Sequence, residues 1–175
     1  MESRSTIGWR IKPIFSIGLS NHDLPLLLRI QSYFGVGAIY TNKSNNSSVS
    51  YTVHSTKDLI NVIIPHFDKY PLLTLKSVDF EMFKRVIELM IKGEHLTTEG
   101  FRIVVALKAT MNTGLSDVLA KSFPGILTLP IPKFELEIKD PRWLAGFING
   151  EGCFYIRIFK TKTTKLLFIK KVSFD

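Results

Sequence analysis

The sequence predicts an α+β fold, in which helices pack on one face of an antiparallel sheet. Three features predict it: apolar and polar residues alternate from 9 to 20, two more short alternating segments flank a polar loop, and the stretches after them carry apolar residues at helical spacing. The chain has 175 residues, of which 45% are hydrophobic. That is enough for one ordinary core, or for one full module and part of a second.

The first strand is expected at residues 9–20. Its apolar face contains Phe15 and its polar face contains Ser16, an alternation that is typical of a half-buried strand. Asn21 then lies where the N-cap of a helix would be. The apolar positions that follow predict a short helix, and Gly35 ends it.

A hairpin is expected next, with strands at 38–41 and 48–54 joined by the polar loop 42–47. In its second strand the residues predicted to face the core are Val49, Tyr51 and Val53, and those predicted to face outward are Ser48, Ser50, Thr52 and His54. The sheet would then have one apolar face and one polar, lightly basic face. A face of the second kind can lie on a nucleic acid.

Helical spacing returns after the hairpin. It predicts helices at 55–64, where Ser55 is the expected cap, at 79–92 and at 98–112. Residues 121–140 contain three prolines and little periodicity, which indicates a linker rather than a packed element.

The charge of the chain indicates a polyanionic partner. Lys and Arg number 23 against 15 Asp and Glu, so the formal net charge is +8, which suits DNA, RNA or an anionic membrane surface. No apolar run approaches the roughly 20 residues that cross a bilayer, so no membrane role is expected. A single cysteine, Cys153, and the lack of a signal-like apolar segment fit a reducing, intracellular compartment.

A new unit is expected to begin with a helix after the linker. Asp140 is the candidate N-cap, and Pro141 occupies the first helical position. Gly146 and Gly150 lie four residues apart on one face, so the backbone of another helix could approach that face closely. Two interior glycines would each weaken an isolated helix by about 1 kcal/mol, and close packing is the expected reason for them.

Glu151 is expected at the C-terminal end of this helix, with Gly152 as its left-handed cap. The negative end of the helix macrodipole disfavours a carboxylate there, and a bound divalent cation would reverse that penalty. An ordinary helix end with a solvent-facing glutamate is equally consistent with these residues. Helix geometry alone does not decide between the two.

Residues 144–152, Leu-Ala-Gly-Phe-Ile-Asn-Gly-Glu-Gly, closely resemble the nine-residue motif that names the LAGLIDADG homing endonucleases. Asn149 stands where the motif name has an acid, and the acid of the eighth position, Glu151, is retained. Further segments resemble the first half of the single-chain, two-repeat members found in fungal organelle introns: Phe15-Ser16-Ile17, residues 66–72, residues 94–97 and Met111-Asn112. The resemblance covers nearly the whole chain.

The resemblance implies a divalent-metal nuclease. In this family two motif helices pack together and each places its acid over the scissile phosphates, where bound Mg²⁺ ions activate water and stabilise the leaving oxygen. Glu151 is therefore expected to be the catalytic acid and a metal ligand. The residues expected to pack this helix against its counterpart are Leu144, Ala145, Gly146, Gly150 and Gly152.

The family resemblance also implies which residues contact DNA. In the first sheet they are Arg10, Lys12, Ser16, Tyr40, Asn42, Ser48, Ser50 and Thr52. In the basic segment after the motif they are Tyr155, Arg157, Lys160, Lys162 and Lys165. A solvated hairpin is the alternative explanation of that basic segment.

The family pattern divides the chain into three parts. Residues 1–120 correspond to a first repeat without its motif helix and first strand, 121–140 to the linker, and 141–175 to the start of a second repeat with its motif helix and first hairpin. The missing motif helix would be supplied by the rest of the protein or by another chain. This polypeptide alone is therefore expected not to cut DNA.

The sequence is consistent with three functions. The first is a homing endonuclease that recognises a long double-stranded DNA site at an intron insertion point and makes a staggered double-strand break. The second is a maturase that binds intron RNA and assists splicing without needing the acids. The third is an inactive remnant of an endonuclease. A mitochondrial location is implied by the resemblance to organelle-intron proteins.

Overall fold

The computed structural model describes residues 8–41, 47–111, 113–131, 138, 140–151 and 156. The chain divides into two compact units, Met1–Glu137 and Ile138–Asp175. The first unit contains a small sheet with helices against it, and the described part of the second contains one helix. This arrangement confirms the predicted α+β class.

The sheet has three antiparallel strands: β1 (Phe15–Ser20), β2 (Ala38–Thr41) and β3 (Ser48–Val53). Their order is β1-β3-β2, so β3 is central. Phe15 pairs with Val53 at one end of the β1–β3 ladder and Ser20 with Ser48 at the other. The hairpin strands were predicted within one residue of these limits.

The prediction that the first strand begins at Trp9 is wrong, because β1 starts only at Phe15. Pro13 precedes it, and a proline has no N–H to donate to a strand ladder. Trp9 instead packs on Phe123, with ring centroids 5.9 Å apart, and Ile11 packs against a cluster formed by helices. The alternation of residues 9–14 therefore reflects packing outside the sheet.

The main core lies on the apolar face of the sheet. Val49, Tyr51 and Val53 of β3 are at most 2% exposed, as the alternation predicted. They pack with buried Leu27, Leu59, Ile63 and Ile87, and with the half-buried side chains of Phe15 and Ile17. The Tyr51 hydroxyl donates to the carbonyl of Val36 at 2.9 Å, which satisfies its polar group inside this core.

Helix α1 (Leu24–Phe34) crosses this core face. Asn21 is not its cap: Asn21 opens a short 3-10 turn to Asp23, and the Ser20 side chain accepts a hydrogen bond from the His22 N–H. The predicted end is confirmed, since Gly35 has a φ of 68°, a left-handed conformation that glycine adopts without a steric penalty.

The described part of the first unit has five further α-helices. They are α2 (Thr56–Asp58), α3 (Ile64–Lys69), α4 (Lys76–Ile91), α5 (Thr98–Thr110) and α6 (Asp117–Ser122), with a π-helical segment, Leu59–Ile63, joining α2 to α3. Ser55 caps α2 as predicted, and Thr97 caps α5. Helices α4 and α5 pack through a second cluster that consists of Val78, Met82, Val86, Val104 and Leu107.

The proline-rich stretch that was expected to be a linker is packed in its first part. The Phe123 ring lies 5.4 Å from that of Phe101 on α5. Leu129 packs on the α4–α5 cluster, and its backbone N–H donates to the Thr110 hydroxyl at 2.8 Å. The division of the chain at residues 120 and 140 stays a prediction.

The second unit begins with α7 (Pro141–Glu151). Its start agrees with the prediction, because the Asp140 carboxylate accepts a hydrogen bond from the Arg142 N–H at 2.9 Å, as an N-cap does. Across the residues that the structure describes, no helix has both the length and the apolar character that crossing a membrane requires.

Candidate nucleic-acid interface

The outward face of the sheet carries small hydroxyl side chains. The strand register places Ser16, Thr52 and Ala38 in one row across the three strands, and Gly18, Ser50 and Tyr40 in the next row. Ser20 and Ser48 form a third. Directly paired residues share a face, and this face is opposite the one that contains Tyr51. The structure therefore brings together Ser16, Tyr40, Ser48 and Ser50 as expected.

Thr52 departs from the expectation that it lies at the surface, because it is only 7% exposed. Its hydroxyl lies 3.1 Å from that of Ser16, and Ser16 donates to the Tyr51 carbonyl at 3.3 Å. The Tyr40 and His54 rings contact each other with centroids 5.8 Å apart. Tyr40 lies on the neighbouring strand in the row next to that of Thr52, and His54 follows Thr52 by two residues.

The remaining residues of this face differ in how accessible they are. Ser16 is exposed, Tyr40 is 49% exposed, and Ser48 and Ser50 are half-buried in the central strand. Side chains of one or two heavy atoms between larger neighbours leave a shallow surface that the edge of a base could approach. The accessible polar groups of this face thus include Ser16, Ser50 and Tyr40, with Ser20 and Ser48 at the far end.

A cleft opens beside Ser16 where β1 begins. Its volume is about 280 Å³, and its apolar walls include Phe67 and Phe80. Lys76 and Asp79 also line it, with the Lys76 ammonium 3.5 Å from an Asp79 carboxylate oxygen. The Lys76 side chain is 68% exposed, so an exposed cation lines the same cleft as Ser16.

Lys76 is not among the residues that the sequence predicts for this interface. The amphipathic pattern placed the start of the helix at Asp79, whereas α4 begins at Lys76. An exposed lysine in the first turn of a helix has no distinguishing pattern in the sequence. Its position in the lining of the cleft that Ser16 also lines distinguishes it from other surface lysines.

Arg10 and Lys12 are exposed, as expected, but they do not lie on a strand. They belong to the extended segment before β1, at the rim of an apolar cavity of about 390 Å³. Trp9 and Ile11 line the same cavity, together with Val104 of α5. The alternation in this segment therefore separates cavity-lining side chains from solvent-facing basic ones.

Helix α7 carries the candidate catalytic acid at its last residue, Glu151, as predicted. At its other end the Arg142 guanidinium hydrogen bonds to Asp140 at 2.9 Å and holds the pKa of that carboxyl below its usual value. Leu144 is 40% exposed and Phe147 43% exposed, so apolar side chains of this helix are accessible.

The glycines of α7 are also accessible. A methyl group at Gly146 or Gly150 would meet nothing among the neighbouring residues that the structure describes. Both glycines and Ala145 are exposed. The expected packing of this face against a second helix stays a prediction.

Several predicted site residues lie outside the described residues: Asn42, Gly152, Tyr155, Arg157, Lys160, Lys162 and Lys165. Within the described part of the chain, no three side chains of the metal-binding types come together. Glu151 supplies a carboxylate at a helix end, and a carboxylate is the kind of hard oxygen donor that Mg²⁺ and Ca²⁺ bind. Its chemistry fits a divalent-metal site to which other groups also contribute.

Comparison with known proteins gives matches along most of the chain. The family model described as LAGLIDADG endonuclease matches residues 1–87. A protein of Neurospora crassa named "Probable intron-encoded endonuclease 3" is 39% identical over 160 residues, which are 90% of this chain and 30% of that protein.

Solved structures match as well. The meganuclease I-SmaMI bound to uncleavable DNA is 42% identical with a TM-score of 0.83, over 91% of this chain and 54% of its own. The same meganuclease bound to an uncleaved DNA target with calcium ions is 41% identical with a TM-score of 0.81, over 90% of this chain and 54% of its own. The chain thus spans under a third of that curated relative and about half of these structures.

Proposed function

Since the chain belongs to the LAGLIDADG endonuclease family, we propose that it is part of an intron-encoded homing endonuclease that binds double-stranded DNA and hydrolyses its phosphodiester bonds. The observation that carries the proposal is the outward face of the sheet with its rows of hydroxyl side chains, in a chain whose fold matches a DNA-bound meganuclease over 91% of its length. The maturase alternative is not favoured, because the matched structures are bound to DNA and the matched relative is named an endonuclease.

We propose that the outward face of the sheet recognises the DNA sequence. Ser16, Ser50 and Tyr40 present hydroxyl groups, which can both donate to and accept from base edges in a major groove. Lys12, in the segment before β1, and Lys76, which lines a cleft with Ser16, are exposed. We propose that both contact phosphates, which position the protein on the DNA but carry no sequence information. Arg10 is a further candidate for a phosphate contact.

Glu151 is the residue that would hold a divalent cation. LAGLIDADG nucleases depend on divalent metals, and we propose Mg²⁺ as the ion in this protein. The bound ion supplies a Lewis acid and lowers the pKa of a coordinated water. Glu151 places a carboxylate at the negative end of α7, where its own charge and the helix macrodipole both favour a cation.

We further propose that Glu151 works with a second acid, because cutting both strands in this family uses two motif helices. The exposed glycines and apolar side chains of α7 are suited to pack against such a helix. It would come from another part of the protein or from another chain. By analogy with the fungal intron-encoded relatives, the proposed compartment is the mitochondrion.

The test of DNA binding is a measurement of affinity against salt concentration by fluorescence anisotropy, with a labelled DNA duplex and an RNA duplex of the same sequence. DNA is expected to bind more tightly than RNA, and the logarithm of the affinity is expected to fall linearly with the logarithm of salt concentration. Tighter binding to RNA, or an affinity that salt does not reduce, would overturn the proposal.

Two lysines at opposite ends of one helix provide a matched control. Lys76 begins α4 and Lys92 follows its last residue, so roughly 24 Å of a 16-residue helix separates them. Lys76→Ala and Lys12→Ala are each expected to reduce the salt dependence by about 0.9 in the log-log slope, the value for one phosphate contact. Lys92→Ala should leave it unchanged. An equal effect of Lys92→Ala would show that net charge, rather than this face, governs binding.

A further inference from the structure

His66 lies where α3 meets the end of α1, in contact with aromatic rings. Its ring centroid is 5.0 Å from that of Phe34 and 5.6 Å from that of Tyr33, both at the end of α1. On its own helix and just beyond it, Phe67 and Tyr70 each lie 5.0 Å away. Four rings from two elements therefore contact one imidazole, which is half-buried.

The charged groups around His66 do not favour an imidazolium. The side chains that the structure shows in ring contact with His66 are all aromatic, and none is a carboxylate. Lys69, one turn along α3, adds positive charge and lies 5.3 Å from the Tyr70 ring centroid. The nearby Asp68 is paired with Lys84 of α4 at 2.7 Å. Burial first, and then the charge of Lys69, lower the pKa of His66 below its usual value of 6.5.

This cluster is connected to the central strand of the sheet. Phe34 stacks on Tyr51, with centroids 6.1 Å apart and the ring planes 4° from parallel. Tyr51 is fully buried, and its hydroxyl bonds to the chain that leads from α1 into β2. It stands between Ser50 and Thr52 on β3. A displacement of Phe34 therefore reaches the strand that carries the proposed DNA contacts.

We propose that His66 is a pH-sensitive clasp between α1 and α3, closed while its imidazole is neutral and loosened when the imidazole is protonated. A charged ring would have to remain among Tyr33, Phe34, Phe67 and Tyr70 without a counter-ion, or move out toward solvent. If the ring moves out, His66 loses its contact with Phe34. Phe34, which stacks on Tyr51, is then held less firmly in place.

The direction of the pH effect follows from the lowered pKa. Above about pH 6.5 His66 is neutral in both the folded and the unfolded chain, and its full contribution to stability is present. As the pH falls below that value the unfolded chain takes up the proton first, so stability is lost until the pH has passed the folded-state pKa of His66.

The experiment measures the free energy of unfolding by urea between pH 7.5 and about pH 5. Three chains are compared: the unsubstituted chain, His66→Phe, which keeps an aromatic ring without a titrating group, and His22→Gln, which removes an exposed histidine from the turn before α1. The unsubstituted chain and His22→Gln are expected to lose stability over this range by equal amounts, and His66→Phe by less. Equal losses in all three would overturn the proposal.

A second measurement holds even if His66→Phe fails to fold. The imidazole protons of His66 are followed by NMR in the unsubstituted chain as the pH is lowered. They are expected to titrate below pH 6.5, together with shifts of the Phe34 and Tyr51 ring protons. Titration at or above pH 6.5, or titration that leaves both of those rings unaffected, would contradict the clasp. Neither outcome depends on DNA binding, so the proposed function stands or falls separately.

Discussion

The hydroxyl groups of Ser16 and Thr52 lie 3.1 Å apart across the β1–β3 ladder, one exposed and the other almost fully buried. The two residues therefore have different roles on the same face of the sheet. Ser16 is exposed, whereas Thr52 is buried and its hydroxyl links β3 to β1. The predictions for this face differ accordingly from residue to residue.

Thr52→Val is expected to destabilise the protein, and Ser50→Ala is not. Valine keeps the shape of Thr52 but loses the buried hydrogen bond, which costs about 1 kcal/mol. Ser50→Ala should instead change the base preference in a selection from randomised DNA while leaving the free energy of unfolding nearly unchanged. Ser32→Ala, an exposed serine on α1, is the control for both measurements. Unaltered base preference in the Ser50 variant would remove that residue from the reading surface.

Glu151→Gln is expected to abolish metal-dependent cutting in an assembly that contains a second acidic helix. Glutamine does not supply the negative charge that holds a divalent cation, so cutting should be lost. Because glutamine matches glutamate in size, DNA affinity should be retained. Removal of the metal with a chelator should have the same effect on the unsubstituted assembly, and addition of Mg²⁺ should reverse it. Glu99→Gln, in the first turn of α5, serves as the matched control. Efficient cutting by the assembly that carries Glu151→Gln would exclude Glu151 from the mechanism.

Gly100→Ala is expected to destabilise the first unit by roughly 1–3 kcal/mol, the usual cost of overpacking. A Cβ at this position would overlap the backbone carbonyl of Glu94, which has no freedom to move aside because it accepts the hydrogen bonds of Thr97. Gly18→Ala is the control, since a Cβ there meets nothing among the described residues. Urea unfolding measures both variants. Equal stability of the two would show that the turn at Glu94 adapts.

Much of the fold could be predicted from local patterns. Alternation identified the buried side of β3, and helical spacing with the Asp140 cap located α7 and its last residue, Glu151. These properties depend on neighbours along the chain, through side-chain periodicity and the hydrogen bonds of a helix end. The motif at residues 144–152 led directly to the family, because it combines this helix with a specific series of residues.

Other properties of the site depend on residues that are distant in sequence. Alternation assigned Thr52 to the outward face, but Thr52 is only 7% exposed, and its hydroxyl meets that of Ser16 on another strand. Lys76 became a candidate only because it lines the same cleft as Ser16, and the proline-rich stretch is packed because Leu129 reaches Thr110. The sequence by itself determined the periodicity and ends of the elements and the family motif. The tertiary structure decided which outward residues are accessible, because burial depends on what packs over a side chain and not on which way its strand turns it.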